Sequence, residues 1–525
     1  MPLTLTRRRL LISGGAAISG AIAASTAGVL ISEATAAHHS SVASHTANAA
    51  SGTATATPTS TASQTPSIPP YSGLRTRPDL DGAAGLKVRT ATGDAAPGYL
   101  FLTPKTPANV QGAAIYDNAG HLIWFRPLGA GEDMVHNLQL VEYHGQPLLA
   151  WYEGKAPSGT PGFGDGTCLL YNTSYEQVAT IRGDGGSPID LHDLVVTPQG
   201  TAIVAAYLPV TRDLTSIGGA TNTIVYDWHL QEIDIATGQL RFSWHAIDHV
   251  DISETTETPP TSPGGAFDFF HGNSIDRTPD GTAFIVSARN TSTIYKIDRA
   301  TGNVIWRLRG ADKGEAPGRH LKLLPDGESF WYQHDVRAWA DGTLSVFDDG
   351  GQPFHHNGRG IILNVDESAG TATITRQDSI KIPVNFEGSY RPQPNGDWLA
   401  GWGDVGGLTE FAPDGKVVLD VDFDANSYRC LRADWVANPV VPPDIAAERA
   451  ADGSVNVWAS WNGATEVRSW RVLGGDSVAT LEPLREFPWT DFETAMTVTT
   501  DSKVVAVAAL DANGRLLSTS ASRAV

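Results

Sequence analysis

Short apolar runs with interleaved polar positions fill residues 82–437, and the runs are joined by turn signals rich in Asp, Asn, Thr and Gly. One recurring pattern is an apolar run, an Asp with a Thr-Gly or Ala-Gly turn, and a returning run that ends in an aromatic or apolar residue. It reads AAIYDNAGHLIWF (113–125), LQEIDIATGQLRFSW (230–244) and TIYKIDRATGNVIWRL (293–308), with weaker copies at 168–181, 361–374 and 408–421. A second hairpin alternates with it: VTPQGTAIVAAY (196–207), RTPDGTAFIVSAR (277–289), AWADGTLSVFD (338–348) and PQPNGDWLAGWG (392–403). LVEYHGQPLLAW (140–151) and PGYLFLTP (97–104) complete this second set. Glycine supplies the positive φ of such turns, and the flanking β-branched and aromatic residues suit pleated strands.

Two alternating hairpins make a unit of four strands, and six copies of each predict six units. The class expected is all-β, a six-bladed β-propeller over residues 82–437. Residues 438–525 begin with Pro439, Pro442 and Pro443, then alternate through SVNVWASWNGATEVRSWRVL, MTVTT and VVAVAALDANGRLLS. That length and alternation predict an accessory immunoglobulin/fibronectin-like β-sandwich.

The N-terminus has a different character. Arg7, Arg8 and Arg9 stand directly before a mildly apolar, Gly/Ala-rich stretch that runs to about Val29 and is followed by Ala34-Thr35-Ala36. Residues 1–37 therefore read as a twin-arginine signal peptide with an A-x-A cleavage site. Residues 38–81, rich in Ser, Thr, Ala and Pro, read as a disordered linker. The expected location is secreted or extracytoplasmic, with cell-wall association left open. No later stretch approaches the ~18 apolar residues of a membrane span.

Composition narrows the partners. The 525 residues carry a formal net charge of −20, which argues against nucleic acid and anionic membranes. Two cysteines, Cys168 and Cys430, exclude a disulfide scaffold and any four-thiolate metal site, and whether they pair is left open. There is no P-loop-type nucleotide cradle, no Cys-x-Pro-x-Arg sulfatase signature and no G-x-S-x-G elbow.

Aligning the second hairpin set on its turn glycine exposes the candidate chemistry. His136 precedes Gly145 by nine residues, His192 precedes Gly200 by eight, His271 precedes Gly281 by ten and His334 precedes Gly342 by eight. Four units thus begin their innermost strand with a histidine, and those strand starts crowd one end of a propeller channel. At the same place the 389–403 unit offers Ser389 and the first offers Pro97 or Gly98. His136 is the weakest of the four. Asn273 is expected on the same strand face as His271, Gly272 allows close approach of another group, and Arg289 returns to the mouth beside His271. Asp193 and Asp335, each next to a histidine, are expected to point away from it. Several imidazoles with an Arg and an Asn suit a tetrahedral, multiply charged group such as sulfuryl or phosphoryl. Neutral imidazole can also attack such a group directly. Two other readings remain open on these residues: a non-catalytic cell-surface binding module, and a metalloenzyme with histidine ligands.

The motifs DLHDLVVTPQG (190–200), DFFHGNSIDRTPDG (268–281), SARNTS (287–292), YKIDRATGNVIWRL (295–308) and WYQHDVRAWADGTLSVFDDG (331–350) together resemble the bacterial arylsulfate sulfotransferases, over roughly residues 95–437. The resemblance implies a six-bladed propeller that moves a sulfuryl group from a phenolic sulfate ester to a phenol, with neither a nucleotide sulfate donor nor another cofactor. It implies that His334 is the nucleophile that becomes transiently sulfated. His192, His271, Asn273 and Arg289 would then hold the sulfuryl oxygens and assist proton transfer. Gly272 stands where this resemblance expects a hydroxyl-bearing residue. The partners expected are small phenolic sulfates and phenols, with homo-oligomerisation left open.

Overall fold

The computed structural model describes residues 68–525 apart from 106–109, 158–161, 311–316 and 352–355. The expected signal peptide and most of the expected linker lie outside the described residues. The end of that linker does not behave as one: Leu74 and Leu80 are buried in a core cluster, and Tyr71 Oη donates to Asp491 Oδ1 at 3.0 Å. The apolar side chains of this stretch, absent from the Ser/Thr tract before it, give it surface to bury.

Almost all regular structure is β. Between Tyr99 and Ala433 the described residues build six ladders of four antiparallel strands. Their leading strands, in chain order, are β1 (Met134–Tyr143), β2 (Val195–Val196), β3 (Gly272–Arg277), β4 (His334–Ala338), β5 (Ser389–Pro392) and β6 (Leu431–Ala433). The β3 and β4 ladders merge into one nine-stranded sheet, because His320–Leu324 pairs in parallel with the outer strand of each. β6 comes from the end of this region, yet it pairs with Tyr99–Leu102 near its beginning. The leading strand of that ladder is therefore β6. The 97–104 segment, expected to be innermost, is second.

The repeated turn residues explain the regularity. In the first hairpin type the Asp298 carboxylate accepts from the backbone N–H groups of Ala300 and Thr301 and from the Thr301 hydroxyl, and Gly302 closes the turn at φ +74. Asp234 and Thr237 repeat this capping. Such Asx turns fix register locally, so each hairpin can form before it meets its neighbours.

Each ladder packs its apolar face on the next. Leu308 and Ile285 of the β3 ladder share a cluster with Leu344 and Val346 of the β4 ladder. Leu100 and Ala114 of the β6 ladder share one with Leu399 and Leu419 of the β5 ladder. Residues 444–524 form two further sheets, of three and five strands, around one core containing Val457, Val472, Met496 and Val507. These sheets are tied to the β6 ladder by backbone bonds such as Gly463 N–H to the Ile123 carbonyl at 2.8 Å. Among the described residues no helix is long and apolar enough to cross a membrane.

Candidate active site

The starts of the leading strands are irregular, and the irregularity positions the side chains. β1, β3 and β4 each carry a register shift at their first residues, between His136 and Gln139, between Gly272 and Ser274, and between His334 and Arg337. Asn137, His271 and Asp335 take positive φ there, at +60, +53 and +48. A bulge of this kind adds one residue to the strand and re-aims the side chains around it, and such strain recurs at functional sites.

The four histidines converge. The rings of His192 and His271 lie 4.8 Å apart, and Tyr428 stands among them at 5.7 Å from His136, 5.8 Å from His192 and 6.4 Å from His334. All four are buried. Three of them have a carboxylate partner on Nδ1: Asp190 for His192 and Asp268 for His271, each at 2.6 Å, and Asp349 for His334 at 3.1–3.3 Å. A carboxylate on Nδ1 sets the ring orientation and tautomer, leaving Nε2 for chemistry. The Nε2 atoms of His192, His271 and His334 have no hydrogen-bond partner among the described residues. His136 differs, because its Nδ1 is itself buried without a partner.

The electrostatics follow from burial and crowding. Burial, then Arg289, His192 and His271, hold His334 well below its ordinary pKa. Burial also lowers His271, although Asp268 pulls the other way. Asp349 is pushed well above the usual carboxylate range by burial and by Asp348, Asp404 and Glu387, with Arg289 opposing.

Arg289 lies beside His271 at the end of the returning strand. Its N–H donates to the His271 carbonyl at 2.9 Å, and its guanidinium stacks 4.1 Å over the Tyr332 ring while one Nη bonds Asn290 Oδ1. Asn273 belongs to the same cluster, and its buried Oδ1 has no hydrogen-bond partner among the described residues. The bulge breaks the alternation, so His271 turns toward His192 while the Asn273 amide donates to the Gln333 carbonyl at 2.8 Å, immediately before His334. Gly272 is required by packing: a Cβ there would lie 2.3 Å from Cε2 of Trp228, which leaves no room for a hydroxyl-bearing side chain. Cys168 and Cys430 are both buried and unpaired.

Asp193 and Asp335 point away from the histidines, into a second layer. Arg429, completely buried, donates to Asn137 and Asp193 at 2.9 and 2.8 Å and lies 3.0 Å from Asp335. Arg337 bridges the same two carboxylates, and Arg391 grips Asp335 through two nitrogens. Burial raises both acids, but the arginines outweigh it and both are lowered. Charge that is paired this completely forms a floor beneath the imidazoles.

Sequence reasoning passed over Asp190, Asp268, Asp349, Tyr428 and Arg429. The first two were signalled by an Asp two or three residues before each histidine, and Asp349 by the Asp-Asp pair at the end of the returning strand. Tyr428 and Arg429 precede β6, so only the pairing of β6 with Tyr99–Leu102 reveals them. Among the described residues no group of three or more His, Cys, Asp and Glu is arranged to hold a metal.

The family model described as "Arylsulfotransferase (ASST)" matches residues 139–424, more than half of the chain and every histidine of the cluster except His136. The chain belongs to the arylsulfotransferase family. No curated protein matches it. Among solved structures, a protein of unknown function from Bacteroides caccae aligns at TM-score 0.39 and 13% identity, covering 64% of this chain and 98% of its own. The periplasmic gluconolactonase PpgL of Pseudomonas aeruginosa aligns at 0.34 and 13%, covering 82% and 96%. A virginiamycin B lyase from Staphylococcus aureus aligns at 0.32 and 8%, covering 72% and 96%. Similarities this weak carry no argument about activity.

Proposed function

We propose that this arylsulfotransferase transfers a sulfuryl group from a phenolic sulfate ester to a phenol through a sulfated His334. The observation that carries the reading is the convergence on one ring of three histidines, each fixed by a carboxylate, with Arg289 beside them. Neutral His334, with Nδ1–H given to Asp349, attacks sulfur through Nε2 while the S–O(aryl) bond breaks. Arg289 holds the sulfuryl oxygens together with His192 and His271, whose rings are oriented by Asp190 and Asp268 on Nδ1. Asn273 acts one step removed, by fixing the Gln333 carbonyl from which His334 projects. An acceptor phenol then attacks sulfur, and the N–S bond breaks. No nucleotide donor and no cofactor enter.

The same reading includes an architecture: a six-bladed propeller over 82–437 whose ring closes where the β6 ladder packs on the β5 ladder, and an immunoglobulin-like module at 438–525. It also includes twin-arginine export, which is supported by Arg7–Arg9 and the apolar stretch after them. The test of function is incubation with p-nitrophenyl sulfate and phenol. Release of p-nitrophenol that requires the acceptor and survives metal chelation supports the reading. A binding module would release none, and chelator-sensitive release would point to a metalloenzyme.

A further inference from the structure

The ladder that begins with β5 starts at Ser389 and brings no histidine; Glu387, two residues before β5, adjoins Gly388, which bonds to the backbone of Tyr428 in the histidine cluster. The Glu387 carboxyl is buried, with 9% of the residue exposed, and Oε2 has no hydrogen-bond partner among the described residues. Glu387 itself takes φ +70, and Gly403 packs so closely that a Cβ there would lie 3.1 Å from the Glu387 Cβ. The next residue, Gly388, donates its N–H to the carbonyl of Tyr428, the residue encircled by the histidines. The charged and titratable groups that act on Glu387 are Lys105, Asp404 and His192, and Glu387 acts in turn on Asp349 and Cys430. An orphaned carboxyl oxygen held in this way demands a partner, and the described protein supplies none.

Other proton donors in the cluster are occupied or poorly matched. Tyr428 Oη already donates to the Asn273 carbonyl at 2.8 Å. The Tyr207 hydroxyl has no partner, but burial pushes its pKa well above the ordinary phenol value. His192 and His271 are committed to the sulfuryl oxygens in this reading, with Nδ1 of each on Asp190 or Asp268.

We propose that Glu387 is the acid–base group of the transfer, an inference that rests on the sulfuryl-transfer reading. As Nε2 of His334 bonds to sulfur and the aryl oxygen departs with its electron pair, that oxygen takes the proton of Glu387, which becomes a carboxylate. As the acceptor oxygen bonds to sulfur and the N–S pair returns to Nε2, the carboxylate takes the acceptor's O–H proton. Burial, with Asp404 adding and Lys105 opposing, raises the carboxyl to about 7, a value suited to exchanging protons with phenols near neutral pH.

The test compares wild type, E387Q and E387D with two donors, p-nitrophenyl sulfate (a good leaving group) and 4-methylphenyl sulfate (a poor one), each with phenol as acceptor. E387Q should lose on the order of 10²-fold in kcat/KM with the poor leaving group and much less with the good one. E387D should recover part of the loss. Infrared difference spectra should show one protonated carboxyl that is present in the wild type and missing in E387Q. Equal losses with both donors, or no loss with the poor one, would overturn the assignment of Glu387 alone. A wild type that transfers from neither donor would overturn the sulfuryl-transfer reading and this assignment with it.

Discussion

At the scale of single residues, the account divides the four histidines by what holds them. His192, His271 and His334 are fixed by carboxylates, whereas His136 has no partner on Nδ1. H334N should therefore lower transfer by a factor on the order of 10³ or more, and H136N by only a few-fold, measured as kcat/KM with p-nitrophenyl sulfate. The pH dependence follows from the His334–Asp349 pair. Burial holds His334 low and Asp349 high. The nucleophile needs Nδ1–H pointing at ionised Asp349, so transfer should rise with pH as Asp349 ionises, and D349N should abolish the rising limb. Glu387 makes a separate prediction about stability. Its folded pKa of about 7 lies above its value in the unfolded chain, so stability is full below the unfolded pKa and is lost as pH rises through about 7. E387Q should match the wild type at pH 4 in urea unfolding and exceed it at pH 8, by up to roughly 3 kcal/mol.

At the scale of elements, the hairpins were legible and their first residues were not. Turn chemistry and alternation are local, so the Asp-x-x-Thr-Gly hairpins around Asp234 and Asp298 could be read directly, as could the recurrence of histidine at matched register. The direction of each side chain at a strand start depends on a bulge, which alternation does not encode. That is why the Asn273 amide meets the Gln333 carbonyl, and why the carboxylates that hold the rings are Asp190, Asp268 and Asp349 rather than neighbours in strict register. Asp193 and Asp335 were legible as facing away, but the arginines they meet come from three ladders and have no sequence signature. Arg429 is the keystone among them. R429M should cost about 3–5 kcal/mol in urea unfolding, because it leaves two buried carboxylates undercompensated.

At the scale of the molecule, closure brings the most distant segments together. β6 lies more than 300 residues after its partner strand Tyr99–Leu102, and the residues just before it deliver Tyr428 and Arg429 to the centre. A linear reading places Pro97 or Gly98 there instead, because it cannot know that the last strand takes the leading place. If the ring is closed in solution, the junction between the β6 and β5 ladders should be as costly to damage as an internal one. L100A and L308A, both fully buried, should each cost about 2–5 kcal/mol, as measured by chemical unfolding. A much smaller cost for L100A would mean that the ring opens.

The claim on which all of this converges is that one imidazole carries the sulfuryl group. Rapid quenching of the wild-type protein with p-nitrophenyl sulfate and no acceptor, followed by peptide mass spectrometry under alkaline conditions, reads that claim directly. The account predicts one sulfuryl adduct, on His334, that disappears when phenol is added and does not form in H334N. An adduct on another residue, or brisk turnover with no adduct at all, would contradict it.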